Sequence, residues 1–296
     1  MMKEKYWIIE LENIDQQTKV IANEFLQFMK LANKSETTID RYRRVLEKFL
    51  TDCAKPVQEL TSDDVLAWIN TFYGHTKERT RDFILSILSS FFRFCLAEGY
   101  IERTLIKKRW RPRIPKSLPK YLDENELARV KLRAEKLPVR DRALVLFLLS
   151  SGCRRAEAAS LNVDDLDLEN RTARVKGKGG QTREVHFSEE CALLLKEYLD
   201  NHHPKSEPAL FVNQYGKRLS TVGIYKVTSK LGKKTGLPRK LGPHCLRHTF
   251  ATNLLARGAE LEFIGSELGH RDLNTTRIYA RVLSEEIISW YRKIKE

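Results

Sequence analysis

Six polar side chains in the second half of this sequence could together perform phosphoryl transfer. They are Arg154, Lys178, His244, Arg247, His270 and Tyr279. An arginine presents a planar fork of donors that matches two phosphate oxygens. A phenol has an ordinary pKa of about 10, and it needs cationic surroundings to act as a nucleophile near neutral pH. Because the set contains no carboxylates that would hold a catalytic metal, we expect no metal in this site.

The arginines and the first histidine lie in patterns that indicate a site. His244 and Arg247 are three residues apart in HCLRH and therefore share one face of a predicted helix. Arg154 follows an apolar helix that we expect to end near Gly152, which places its charge at the edge of the interior. Either Glu157 or the phosphate of a ligand could pair with Arg154, and both pairings can hold at once.

The lysine and the tyrosine are weaker signals when each is taken alone. Lys178 lies in the glycine-rich turn KGKGGQ, where glycines permit positive φ and close approach to a ligand. It could donate a proton to a departing sugar oxygen, with Lys176 as the second candidate. Of the ten tyrosines, Tyr279 ends the ordered series, and Tyr291 is the alternative. The acidic segment VDDLDLEN could in principle bind Mg²⁺, but its spacing fits no Ca²⁺ loop.

The composition favours a polyanionic partner. The 296-residue chain has a formal net charge of +14, and both halves carry more Lys and Arg than Asp and Glu. A solvated basic surface without a ligand is the alternative. The five cysteines form no CxxC pair, which is typical of a reducing compartment. No apolar run approaches the roughly 20 residues of a membrane span. We therefore expect a cytoplasmic protein.

The elements that must position these side chains fall into two groups. The first hundred residues show helical periodicity, with Val20 and Phe28 on the buried stripe of one helix and Arg43 on the exposed face of the next. After residue 121, helices accompany two strands, RTARVKG and TREVHFS. We predict a mainly α protein with a small β-sheet. Its predicted segments are an N-terminal extension (1–16), a helical domain (17–102), a basic linker (103–120), an α+β domain (121–284) and a C-terminal helix (285–296).

The order Arg, Lys, His-x-x-Arg, His, Tyr resembles that of the tyrosine recombinases, of the Xer and phage-integrase kind. The surrounding motifs are similar to those of the family: SSGCRRAEAASL, VKGKGGQTREV, GPHCLRHTFATNLLARG and ELGHRDLNTTRIYARV. The four-helix segment resembles the family's core-binding (SAM-like) domain, so the resemblance extends over essentially the whole chain. Arg155 stands where an aliphatic residue is usual, and Cys153 where a larger apolar residue is common.

The resemblance implies a clamp of two domains around double-stranded DNA and a recombination reaction without metal or cofactor. Tyr279 would attack the scissile phosphate to form a 3′-phosphotyrosyl bond, the two arginines would hold the non-bridging oxygens, and the two histidines would assist. Lys178 would protonate the 5′ oxygen, with Glu157 in a supporting place. A homo-tetramer or a paired recombinase would assemble on a short two-fold core site through residues 285–296, which could dock in cis or in trans. The biological role would be dimer resolution of chromosomes or plasmids, or integration and excision of a mobile element.

Two other functions would use many of the same features. A type IB topoisomerase-like enzyme would share the chemistry and relax supercoils as a monomer. A non-catalytic DNA-binding protein would keep phosphate contacts but form no covalent adduct. In each case the candidate DNA contacts are polar side chains of the helical domain and the linker. They are Thr38, Arg41, Arg44, Arg79, Lys107, Lys108, Arg109, Arg111 and Arg113.

Overall fold

The computed structural model describes residues 6–115, 118–177, 180–270 and 272–282. Lys178 and the predicted C-terminal helix at 285–296 lie outside the described residues. The chain divides into two compact units, Met1–Lys116 and Ser117–Glu296, each with its own hydrophobic core. Among the described residues, no helix combines the length and the hydropathy that crossing a lipid bilayer would require.

In its described residues, the first unit contains four α-helices. They are α1 (Gln16–Leu31), α2 (Glu36–Cys53), α3 (Ser62–Tyr73) and α4 (Glu78–Ala97). Polar side chains fix where they begin. Ser35 accepts a hydrogen bond from the backbone N–H of Thr38 at the start of α2, and Thr61 forms a capping box with Asp64 before α3. The helical periodicity of the first hundred residues is therefore confirmed as four α-helices in the described part of this unit.

Two expectations for these helices are wrong. Val20 and Phe28 are 47% and 54% exposed, because the side chains that pack α1 against its neighbours form a narrower stripe than the periodicity indicates. Arg43 is buried rather than exposed. Its guanidinium pairs with the carboxylates of Asp40 and Glu47, one helical turn to either side, so the charge is neutralised where it enters the interior.

The second unit is mixed α and β. Its elements are α5 (Glu124–Ala134), α6 (Val139–Ser151), α7 (Arg155–Ser160), β1 (Leu166–Asp167), β2 (Thr172–Lys176), β3 (Thr182–His186), α8 (Glu189–Asn201), α9 (Thr221–Lys234), α10 (Pro243–Ala256) and α11 (Leu261–Leu268). A short helical segment at 277–282 follows. The strands form an antiparallel sheet in the order β1-β2-β3. The two predicted strands are confirmed as the hairpin β2–β3, with Lys176 opposite Thr182.

The buried helix α6 delivers the chain to the start of α7. Gly152 ends α6 with a φ of +60°, in the left-handed region. A Cβ at this position would overlap the ring of Phe250 on α10, so the close approach of the two helices requires a glycine. Arg154 follows as the N-cap of α7. The tight reversal therefore fixes a charged side chain against the buried end of α6.

Candidate active site

Arg247 is held at the ends of two helices. It lies on α10 and is 4% exposed. Its Nη1 donates to the carbonyl oxygen of Gly152 (2.8 Å) and its Nη2 to that of Leu268 (2.7 Å), at the C-terminal ends of α6 and α11. These ends carry partial negative charge, which stabilises a cation. Burial, followed by the charge of Arg154, lowers the pKa of Arg247 to about 10, so the side chain remains charged at neutral pH.

Arg154 is oriented by a carboxylate and stays partly open. Its Nη1 donates to Oε1 of Glu157 (2.9 Å), its Nη2 to the carbonyl oxygen of Gly269 (3.1 Å), and its backbone N–H to Oε2 of Glu157 (2.7 Å). The side chain of Arg154 is 33% exposed, whereas that of Glu157 is 3% exposed. The pairing that the sequence left open is therefore present, and part of the guanidinium remains available for phosphate oxygens.

The structure adds an arginine that sequence reasoning missed. Arg183 on β3 donates from Nη1 and Nη2 to the two oxygens of Glu157 (2.8 and 2.9 Å), and from Nε to the carbonyl oxygen of Glu267 (3.0 Å). Burial alone would raise the pKa of Glu157, but hydrogen bonds from Arg183 and Arg154 lower it to about 2. A signal was available, because Arg183 shares the inward face of β3 with Val185, where a charge needs a partner.

His270 links Arg247 to the last described segment. Its Nε2 lies 3.1 Å from Nη2 of Arg247, and its Nδ1 lies 2.8 Å from Oγ1 of Thr276. Because a guanidinium only donates, Nε2 accepts and the ring hydrogen lies on Nδ1, which donates to Thr276. Burial, followed by the charges of Arg247, Arg154 and Arg183, lowers the pKa of His270 to about 4. The imidazole is therefore neutral near pH 7.

Tyr279 is buried, and its hydroxyl meets the second histidine of the HCLRH motif. The residue is 1% exposed, and Oη lies 3.0 Å from Nδ1 of His248. Burial raises the pKa of Tyr279, although Arg247 and Arg154 oppose the shift. Burial, then His244 and Arg247, lower the pKa of His248 to about 4. Sequence reasoning missed His248, although its spacing of four from His244 places both imidazoles on one helix face.

His244 lies in the first turn of α10, at the margin of this cluster. The residue is exposed. Partial burial of its ring, followed by the charges of Arg247, Arg155 and Arg154, lowers the pKa of His244. Arg155, the departure from the family pattern, thus lies close enough to repel a protonated His244. The imidazole is available to a ligand that approaches from solvent.

The hairpin that carries Lys178 begins beside the Glu157–Arg183 pair. A 2.7 Å hydrogen bond from the backbone N–H of Gly177 to the carbonyl oxygen of Gln181 closes its base. A Cβ on Gly177 would lie 3.7 Å from both Oε1 of Glu157 and Nη1 of Arg183. The described base of the hairpin is therefore adjacent to the arginine cluster, while Lys178 itself lies outside the described residues.

The predicted DNA contacts lie in the first unit and are mostly exposed. Thr38 is half-buried, and the others are exposed: Arg41, Arg44, Arg79, Lys107, Lys108, Arg109, Arg111 and Arg113. Two of them also form ion pairs, Arg44 with Asp40 (2.8 Å) and Arg111 with Asp82 (2.9 Å). Each pair is partly exposed, so its contribution to stability is small and phosphate can compete for the guanidinium.

The acidic segment VDDLDLEN is used for local structure. Asp165 accepts a hydrogen bond from the backbone N–H of Asn162 (2.9 Å), and Asp167 accepts one from that of Asn170 (2.9 Å). Over the ranges that the structure describes, no group of three or more His, Cys, Asp or Glu side chains is placed to hold a metal ion.

Comparisons with known proteins identify the family. Residues 120–286 match the model of the phage integrase family, and residues 22–99 match that of the phage integrase N-terminal SAM-like domain. This chain belongs to the phage integrase family of tyrosine recombinases. The tyrosine recombinase XerA of Pyrococcus furiosus is 33% identical over 272 residues, which cover 90% of this chain and 91% of XerA. XerC of Leptospira interrogans is 31% identical over 287 residues, 92% of each chain.

Solved structures of recombinases share the fold. A crystal structure of XerA recombinase has 28% identity and a TM-score of 0.54, covering 94% of this chain and 99% of its own. The XerH site-specific recombinase, bound to a palindromic difH substrate, has 24% identity and a TM-score of 0.77, covering 99% and 93%. The predicted fold class is confirmed: a mainly helical protein with an N-terminal SAM-like domain and an α+β catalytic domain. The predicted activity is confirmed as well, and this tyrosine recombinase is an enzyme of site-specific DNA recombination.

Proposed function

We propose that this recombinase cuts and rejoins DNA through a covalent bond between Tyr279 and a 3′ phosphate. The observation that carries the proposal is the meeting of three predicted side chains at the end of α11. Arg154 and Arg247 donate to successive carbonyl groups there, and Arg247 also contacts His270. Tyr279 follows His270 by nine residues and is buried beside the same cluster.

The two arginines would hold the non-bridging oxygens of the scissile phosphate. Donors that are already oriented stabilise a transition state strongly, because they need no reorganisation as charge develops. As Oη of Tyr279 bonds to phosphorus, the bond from phosphorus to the 5′ oxygen breaks, and Lys178 would supply the proton for that oxygen. His244 and His270 would complete the set by hydrogen bonding. A 5′ hydroxyl from another strand reverses the step, so the bond energy is conserved in the covalent intermediate.

A nicked suicide substrate tests this assignment, because loss of a short 5′ fragment traps the covalent complex. Tyr279→Phe should bind the DNA and form no adduct. Tyr198→Phe is the matched control, since Tyr198 is equally buried in the same unit, and its hydroxyl accepts a 3.4 Å hydrogen bond from the N–H of Val212. Undiminished adduct in Tyr279→Phe would refute the proposal.

The partner would be double-stranded DNA with a short two-fold core site. XerH is bound to a palindromic substrate, and the formal charge of +14 suits a polyanion. We infer an Xer-like role in resolving chromosome or plasmid dimers, in the cytoplasm, where the free thiols of all five cysteines would persist. A plasmid with two copies of a candidate palindrome should lose the DNA between them. Relaxation of supercoils without deletion would instead favour a topoisomerase-like activity.

Assembly on DNA would use the C-terminal residues and a cavity of the catalytic unit. The cavity has a volume of about 380 Å³. Its apolar lining residues are Leu127, Leu146, Leu149, Phe187, Phe250, Leu254 and Phe263. We propose that residues 285–296 of a neighbouring protomer fill it, since that segment has isoleucines and aromatic residues at helical spacing. A head-to-tail contact of this kind closes into a ring, as a tetramer needs.

Deleting residues 285–296 should weaken tetramer formation on two sites more than binding to one half-site. Phe263→Ser should do the same from the cavity side, because Phe263 is 51% exposed and lines the opening. Leu193→Ser is the control, since Leu193 is 66% exposed and lies outside this cavity lining. Gel-shift titrations that show equal losses at both steps would defeat the docking proposal.

A further inference from the structure

The hydroxyl of Tyr279 contacts a histidine, His248, that takes no part in the mechanism described above. His248 lies on α10, and its Nδ1 is 3.0 Å from Oη of Tyr279. The two rings are tilted by 55°, with centroids 5.7 Å apart, so the contact runs through the hydroxyl and not through stacked faces. A hydrogen bond to the attacking atom itself is a direct route for proton transfer.

Burial and the charges around His248 set the protonation states of the imidazole and the phenol. The titratable groups that face it are His244, Arg247 and His270, together with Tyr279. Burial and the neighbouring positive charge keep the imidazole neutral at neutral pH, with a pKa of about 4. Burial also keeps the phenol protonated by raising its pKa. In the tautomer that carries its hydrogen on Nε2, the bare Nδ1 of His248 accepts the hydrogen bond that the protonated phenol donates.

We propose that His248 is the general base that removes the proton from Tyr279 during attack on the phosphate. This inference rests on the proposed function of Tyr279 as the nucleophile. The O–H bond of the phenol breaks as the bond from Oη to phosphorus forms, and the proton moves to Nδ1. The bond from phosphorus to the 5′ oxygen breaks, and that oxygen takes its proton from a separate acid. Protons and electron pairs balance, and the return reaction uses the same imidazolium as the acid for the departing phenol.

This arrangement makes the basicity of His248 depend on whether DNA is bound. Arg247 is one of the charges that keep His248 neutral, and it is also an arginine that would bind the phosphate. A phosphodiester in the pocket offsets that positive charge, so the imidazole becomes more basic when DNA is bound. Without DNA the phenol keeps its proton and the buried tyrosine is unreactive. His244, by comparison, is exposed at the margin of the cluster.

The test compares His248→Asn and His248→Ala in single-turnover cleavage of a suicide substrate from pH 6.5 to 9.5. Asparagine can keep an acceptor oxygen near the position of Nδ1 but cannot take up a proton. Both variants should cleave at least roughly 10²-fold more slowly than wild type at pH 7. Their rates should then rise by about tenfold per pH unit as the phenol ionises unaided. His203→Asn is the control, since buried His203 bonds the carbonyl oxygen of Ala209 (2.8 Å) elsewhere in the unit.

A second substrate separates the base from the acid. In this substrate sulfur replaces the 5′ bridging oxygen, and it leaves as a thiolate that needs no proton. The substitution should therefore restore cleavage by Lys178→Ala but not cleavage by His248→Asn. Wild-type cleavage by His248→Asn, with an unchanged pH profile, would overturn the inference and leave only an orienting contact. Faster cleavage by His248→Ala would overturn it too, by showing that the contact restrains the tyrosine. Failure of the proposed function itself would appear differently, as an adduct that persists in Tyr279→Phe.

Discussion

Arg183→Ala should damage both stability and cleavage, because Arg183 holds the carboxylate that orients Arg154. The pKa of Glu157 is about 2 where 4.5 is ordinary, and at about 1.4 kcal/mol per unit this shift corresponds to about 3 kcal/mol of net stabilisation of the charged form. Both oxygens of the buried carboxylate bond to Arg183. Breaking a buried pair on one side costs about 3–5 kcal/mol. Since Arg154 remains as a partner, we expect the unfolding free energy to fall by about 2–4 kcal/mol.

Cleavage by Arg183→Ala should fall roughly 10²-fold, because displacing a catalytic group such as Arg154 by about 1 Å has a cost of this size. Urea unfolding and single-turnover cleavage of a suicide substrate measure the two effects. Arg239→Ala is the matched control, because Arg239 also makes a two-pronged pair with a buried carboxylate, that of Glu126. It should lose similar stability and keep its cleavage rate. Arg183→Ala with wild-type stability, or with a loss of cleavage no larger than that of the control, would refute the orienting role.

Three further perturbations follow from the same geometry. Arg247→Ala should slow cleavage by about 10²–10³-fold, the cost of one lost oxyanion donor, with DNA binding reduced far less; a normal rate in single-turnover assays would make Arg247 purely structural. Stability should fall as the pH drops from about 6.5 toward 4, because the unfolded chain takes up protons on His248 and His270 that the folded chain refuses. Urea midpoints above pH 4.5 isolate this loss from that of Glu157, whose depressed pKa makes its contribution disappear only between pH 4.5 and about 2. A double His248→Asn, His270→Asn variant should show a flatter pH dependence, and an unchanged slope would contradict the assignment. Gly152→Ala should cost roughly 1–3 kcal/mol more than Gly258→Ala, since both positions have positive φ but only the former meets a neighbouring ring; equal thermal shifts would show that Phe250 moves aside.

Much of the fold could be predicted from the sequence because it depends on residues that are close together along the chain. The capping box that starts α5 joins Asp123 to Glu126, three positions away, and the predicted hairpin β2–β3 is formed by strands on either side of the glycine-rich turn. Both depend on residues a few positions apart. Which apolar side chains of a helix are buried was harder to predict from the sequence. Val20 and Phe28 have the right spacing for burial, yet burial depends on which neighbouring helix covers that part of the face.

In the site, the order of motifs predicted the five candidate catalytic residues that the structure can place, but not how these side chains are held in position. Glu157 and Arg183 are 26 positions apart, and their pairing depends on how β3 packs beside α7. Alternation along the strand predicts which side chains of β3 point inward, but it does not predict which side chain they pair with. The role of His248 was not predicted for a different reason. One imidazole of HCLRH was assigned a role, and only the position of Tyr279 shows that the second one meets the phenol.

The covalent bond between Tyr279 and DNA is the claim most directly open to measurement. The complex trapped on a suicide substrate can be digested with nuclease and protease and its peptides analysed by mass spectrometry. We expect the nucleotide remnant on Tyr279 in the wild-type protein and no modified peptide in Tyr279→Phe. A remnant on Tyr291 or on any other side chain would contradict the assignment.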